Sequence, residues 1–136
     1  MYNKKSVSVV FGTYREKDSI RKVIEDFFRT GIVDEIIVVN NNAEEGTDEE
    51  VKKTKAMLVY EIRQGYGYAY QKGIEHAKGE YIILCEPDGS YPASDIKRLL
   101  VYGEDNFDVV LGARTGQSTP LSGADMNVCR KWANVL

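Results

Sequence analysis

No apolar run in this chain approaches the roughly 20 residues that a bilayer-spanning helix needs, and the N-terminus lacks the apolar segment of a secretory signal. Those absences argue against a spanning or exported segment within the 136 residues and give the chain a cytosolic character. Basic charge is not in excess either: Lys plus Arg total 18 against 21 Asp plus Glu, a formal charge of −3, and no basic stripe is concentrated anywhere. Nucleic acid is therefore not the expected partner. Cysteine is scarce, and Cys85 and Cys129 form neither a metal spacing nor a disulfide framework, so both read as reduced packing residues. Internal repeats, low-complexity tracts and linkers are lacking, and only the acidic stretch 44–50 shifts the composition. What remains is one globular domain over residues 1–136, long enough to bury a core.

What is present is organised around residues 79–91, where an apolar run stops at two carboxylates, Glu86 and Asp88. Tyr81 to Cys85 is short, unbroken and β-rich, which suits a central parallel strand covered on both faces. Pro87 and Gly89 then make a turn that holds the acids. Carboxylates two apart on such a turn can share a hard divalent cation, with phosphates and water completing its shell. The plainer reading is a surface turn with two solvated acids.

The rest of the chain alternates strand and helix. A strand over 6–11 breaks at Gly12-Thr13-Tyr14, and Asp18 or Ser19 caps a helix whose Ile20, Val23, Ile24, Phe27 and Phe28 recur at helical spacing up to Gly31. A strand over 35–39 precedes a capping box, Thr47-Asp48-Glu49-Glu50, opening a helix to about Ala56. A third strand over 57–62 leads through Gly65-Tyr66-Gly67 into a helix ending at Gly79. After the 81–85 strand, Ser94 caps a helix to Gly103, and 108–111 reads as a fifth strand before Gly112-Ala113-Arg114. The pattern predicts a three-layer α/β fold with a mainly parallel sheet. Four polar turns, at 12–14, 40–42, 86–88 and 112–114, follow strand carboxyl ends, where such a sheet binds its ligand.

These residues resemble family 2 glycosyltransferases. Val7 to Glu16 is similar to their opening strand and Pro-x-Tyr-Asn-Glu turn; the 33–39 run followed by Asn40-Asn41-Asn42 resembles their second strand and Asp-Asp loop. Gln64-Gly65-Tyr66-Gly67-Tyr68-Ala69 fits their Gly-x-Gly-x-Ala segment, Glu86-Pro87-Asp88 their Asp-x-Asp motif and Gly112-Ala113-Arg114 their Gly-Ser-Arg. The branch most resembled transfers mannose to dolichyl or polyprenyl phosphate. The resemblance implies a metal-dependent, inverting transferase taking its sugar from a nucleoside diphosphate. It places Gly12, Tyr14 and Glu16 around base and ribose, Asn40 and Asn41 at the base, and Gln64, Gly65 and Gly67 where backbone nears the nucleotide. Glu86, Asp88 and Ser90 would hold magnesium or manganese, with Asp88 and Arg114 as catalytic candidates. Arg114 and Arg130 would contact phosphate oxygens. A polyprenyl-phosphate acceptor implies work at the inner membrane surface.

The chain departs from that pattern where Gly12 replaces Pro, Arg15 replaces Asn, Asn40 and Asn41 replace acids, and Glu86 replaces Asp. An amide both donates and accepts, whereas a carboxylate only accepts, so base preference is expected to differ. Such enzymes also run well past this length, so the chain reads as the N-terminal, nucleotide-sugar-binding portion. The apolar stripe of Met126, Cys129, Trp132 and Leu136 on the last helix would pack against core or a second copy. Tyr66, Tyr68 and Tyr70 read as scattered packing rather than a sugar ladder, and His76 as a helix-end residue. The alternative from another class is a non-catalytic nucleotide-sugar-binding or dimerisation module. A sugar-phosphate nucleotidyltransferase lacks its glycine- and arginine-rich first loop here, and a dinucleotide oxidoreductase its third glycine.

Overall fold

In the computed structural model of the chain, residues 1–105 and 107–112 are described. Internal contacts divide the chain into two units, 1–97 and 98–136, and the described sheet lies wholly in the first. The expected contributions of Arg114, Arg130, Cys129 and the Met126, Trp132, Leu136 stripe lie outside the described residues.

Four parallel strands run in the order β3-β2-β1-β4: β1 is Val7–Thr13, β2 Glu35–Asn40, β3 Met57–Tyr60 and β4 Tyr81–Cys85. The helices between them are α1 (Lys17–Arg29), α2 (Thr47–Lys52) and α3 (Tyr66–His76), and α4 (Ile96–Gly103) follows β4. The β-branched run of β1 is buried along its whole length because it is flanked by β2 and β4 and covered on both faces. Phe11 meets Phe27 of α1 edge-on with centroids 5.1 Å apart. Its neighbour Val10, pointing to the other face as alternate strand residues must, packs with Ile37, Val39 and Ala69 of α3. Helices on both faces make the three layers expected.

α3 lies unusually close to the sheet. A Cβ on Gly73 would stand 2.1 Å from Val10 Cγ1, and one on Gly12 would stand 3.3 Å from Ala69 Cβ. Small residues at these contacts let helix and strand backbones approach, which carries the N-terminal end of α3 over the carboxyl end of β1.

Several expectations are corrected. The apolar run of β4 reads as central, yet among the described residues β4 is an edge strand with Ile82 and Leu84 39% and 44% exposed. An unbroken apolar run reports burial on average and does not name the neighbour. Residues 108–111 form no strand, and Val109 and Leu111 are exposed, so the short apolar run has no described partner for a ladder. β1 continues through Gly12 to Thr13, whose pairing with Asn40 extends the ladder. β3 stops at Tyr60, α2 at Lys52 and α3 at His76, each short of the boundary that sequence suggests. α1 starts at Lys17 after Glu16, so Asp18 and Ser19 sit inside its first turn. The capping box does not form, because Gly46 at φ 93° is the residue before α2 and Thr47 is already helical, its hydroxyl buried without a partner. Ser94 likewise lies within a 3-10 turn, Ala93–Asp95, that precedes α4.

Candidate functional site

The loops after β1, β2, β3 and β4 share the carboxyl edge of the sheet and are tied to one another. Glu16 folds back so that its Oε2 accepts from Thr13 Oγ1 at 3.0 Å, Tyr14 N at 2.7 Å and Arg15 N at 2.9 Å. The carboxylate fixes its own turn, and the Tyr14 ring, half-exposed, carries the Arg15 guanidinium 5.0 Å from its centroid. Tyr14 O accepts from Glu44 N, and Thr13 O from Asn41 N, which joins this turn to the one after β2. On the other side Ser19 Oγ donates to Pro87 O at 2.7 Å, fastening α1 to the acidic turn.

In that acidic turn Asp88 Oδ1 accepts from both Ser90 N, at 2.8 Å, and Ser90 Oγ, at 2.6 Å. Ser90 thus stands beside Asp88 and orients it. The negative field of the turn reaches its neighbours: burial, then Asp88 and Glu86, push the Cys85 thiol up to about 12. Tyr70 is raised as well, by burial first and by the Glu86 charge next. Glu86, Asp88 and Ser90 carry oxygen donors of the kind magnesium and manganese accept, and Ser90 meets Asp88 directly. Among the described residues no group of three or more His, Cys, Asp or Glu gathers as a metal cage, so a cation here would need oxygens from its ligand or from water. These residue types suit a cation whose remaining oxygens come from a ligand or from water.

Other predicted residues are placed differently from expectation. Gly12 lies buried in β1 against Ala69, where it admits α3 rather than facing a base. Asn40 and Asn41 do not present free amides. Asn40 Nδ2 donates to Asp48 Oδ1 at 2.6 Å and its Oδ1 accepts from Ala43 N at 2.7 Å. Asn41, 4% exposed, donates to Glu61 O at 2.7 Å and Arg63 O at 2.8 Å, and accepts from Gly65 N at 2.9 Å and Gln64 Nε2 at 3.3 Å. Gly65, at φ 139° a conformation that favours glycine, leads into α3, and beside Gly67 there is open space where a Cβ would stand. Tyr66 stacks on Tyr70 at 6.3 Å while Tyr68 takes the Arg63 guanidinium at 4.6 Å, so the three tyrosines form no ladder.

Sequence reasoning missed Asn42, Glu61, Arg63 and Tyr70. Arg63 binds Glu61 through Nε at 3.0 Å and Nη2 at 2.7 Å, and this fork holds the Glu61 carboxyl at about 2, well below its ordinary 4.5. An acid and an arginine two apart after a strand could have flagged that pair; Tyr70 stands out in the sequence only within the Tyr66, Tyr68, Tyr70 alternation, as packing.

An open parallel α/β sheet whose loops gather at its carboxyl edge belongs to the class of folds that bind their ligands at that edge. The model of glycosyl transferase family 2 matches residues 8–125, and the chain belongs to that family. Among curated proteins it is 28% identical over 116 residues to the glycosyltransferase AglJ of Haloferax volcanii, covering 85% of this chain and 38% of that protein. It is 27% identical to a dolichyl-phosphate hexose transferase of the same organism, covering 83% and 50%. Glucosyl-3-phosphoglycerate synthase from Mycobacterium tuberculosis, solved with Mn2+, UDP and glucosyl-3-phosphoglycerate, superposes with a TM-score of 0.63 at 21% identity, covering 74% of this chain and 40% of that one. That likeness shows a common fold. The chain spans half or less of the length of each of these proteins.

Proposed function

We propose that this chain is the donor-binding part of a metal-dependent, inverting glycosyltransferase that moves a sugar from a nucleoside diphosphate to an acceptor, with polyprenyl phosphate the favoured class. The observation that carries the reading is the acidic turn after β4, where Ser90 orients Asp88 beside Glu86 at the same sheet edge as Gly65 and Gly67. Support comes from relatives: one is named a dolichyl-phosphate hexose transferase, and a structural neighbour was solved with Mn2+ and UDP.

In this reading Glu86 and Asp88 would hold the cation, and the Gly65-to-Gly67 backbone would receive the nucleotide. Bound magnesium or manganese would neutralise the charge that grows on the departing diphosphate. Tyr14 offers an aromatic face to base or ribose, and Glu16 keeps its turn in place from behind. Arg114 and Arg130 are proposed to contact phosphate oxygens. A lipid phosphate is already ionised near neutral pH, so its attack on the anomeric carbon needs mainly positioning. This reading also places the protein at the cytoplasmic face of a membrane; among the described residues no helix is long and apolar enough to cross one.

A non-catalytic binding or dimerisation module is the second reading, favoured by the commitment of both Asn40 and Asn41 amides to the chain's own loops. Calorimetric titration of GDP-mannose, UDP-glucose and UDP-N-acetylglucosamine, with and without Mn2+, tests the first. Metal-dependent binding of one donor, lost in Asp88→Ala, supports it and names the base; a folded sample that binds none overturns it. Binding without release of the sugar to any acceptor favours the module.

A further inference from the structure

Asn40 and Asn41 stand where the resemblance leads one to expect acids, and the hydrogen bonds of Asn41 and of Asn42 beside it supply a physical reason. The segment 61–65, between β3 and α3, turns three successive carbonyl oxygens toward the end of β2. Glu61 O and Arg63 O accept from Asn41 Nδ2, and Ile62 O accepts from Asn42 Nδ2 at 3.0 Å. The second Asn42 N–H goes to Gln64 Oε1 at 2.9 Å. Asn42 sits at φ 58°, which asparagine tolerates better than most side chains. A carboxylate at 41 could still accept from Gly65 N but would set a buried negative charge against two carbonyl oxygens.

We propose that Asn41, aided by Asn42, is a positioning residue of the donor site: its amide donors hold segment 61–65, and with it the Gly65 entry to α3, in the shape that receives the nucleotide. This inference rests on the donor-binding reading above. Base preference then belongs to whatever that segment presents, not to the Asn41 amide, which has no free donor or acceptor face.

The test uses Asn41→Asp and Asn41→Ala in the 136-residue chain, with UDP and GDP as probes in the presence of Mn2+ and hydrogen exchange followed across 61–65 without nucleotide. Asn41→Asp is expected to weaken both nucleotides together by at least about tenfold, since both buried Nδ2 hydrogen bonds are lost, and to speed exchange in the segment. Relative to wild type at each pH, its binding should recover as pH falls, because a protonated acid can again donate to a carbonyl. Asn41→Ala should show no such recovery. Ser8→Ala, which lowers stability at the other sheet edge, should leave affinity unchanged and so separates positioning from general destabilisation. A change of preference between UDP and GDP in Asn41→Asp with exchange unaltered would mean direct base reading and overturn the proposal. Wild type that binds neither nucleotide overturns the donor reading; unchanged exchange in Asn41→Asp overturns the clamp itself.

Discussion

The two edges of the sheet are built from similar residue types and do opposite things with them. At the amino edge the polar groups close on one another: Ser8 Oγ donates to Glu35 Oε1 at 2.5 Å and accepts from Gly79 N at 2.7 Å, and the same Glu35 oxygen accepts from Lys78 N at 2.6 Å. Asp34 accepts from Val7 N at 2.8 Å and pairs with the N-terminal ammonium at 2.9 Å, which lowers its pKa. At the carboxyl edge the side chains hold loops in place while Asp88 and the surface beside Gly67 stay open. At the amino edge the carboxylates of Asp34 and Glu35 tie chain segments together, whereas Asp88, held by Ser90 through Oδ1, remains exposed on its turn.

That contrast can be broken from either side. The largest effect is expected at Gly79→Ala, whose Cβ would stand 2.5 Å from Ser8 Oγ and 2.6 Å from Ser8 N, a backbone atom that cannot step aside. Urea denaturation should show a loss of about 3 kcal/mol, with the folded fraction binding nucleotide as wild type does. Asp88→Ala is expected to do the reverse. Its binding of UDP or GDP with Mn2+ should fall at least about tenfold while stability moves by less than about 0.5 kcal/mol, since the carboxyl is exposed. Ser8→Ala leaves the Glu35 carboxylate and the Gly79 N–H each short of a partner and should cost about 1–2 kcal/mol in the same denaturation assay.

The smallest effect is a pH dependence at the carboxyl edge. The Arg63 fork keeps the folded pKa of Glu61 near 2 against an ordinary 4.5, so its contribution is present above 4.5 and is lost as pH falls toward 2. Melting temperature followed over that window should drop less steeply in Arg63→Met than in wild type. Equal slopes would remove the fork from the account of loop order.

Much of the fold was legible because strand and helix leave periodic marks: Ile20, Val23, Ile24 and Phe27 are buried on α1 as their spacing requires, and β1 and β2 are buried throughout their apolar runs. What escaped sequence reading depends on distant partners. The Thr47 to Glu50 signature is local and complete, but the left-handed turn at Gly46 shifts the helix start by one residue and strands the Thr47 hydroxyl. The apolar character of β4 announces a strand without saying which neighbours it has. At the site, the turn at 86–88 follows β4 as expected and those at 12–14 and 40–42 begin inside β1 and β2, whereas 112–114 follows no described strand and 113–114 lie outside the described residues. The occupation of Asn41 could not be read because its partners lie 20 to 24 residues away. The role expected for Gly12 changed for a similar reason, since Ala69 approaches it from another element.

The proposal that the carboxyl edge holds a cation together with a diphosphate is most directly tested by the paramagnetic resonance signal of free Mn2+. Mixing Mn2+ with UDP or GDP and the chain should reduce the free signal beyond what nucleotide alone removes, and Asp88→Ala should abolish that excess. An equal reduction in the variant, or none in the wild type, would contradict the account.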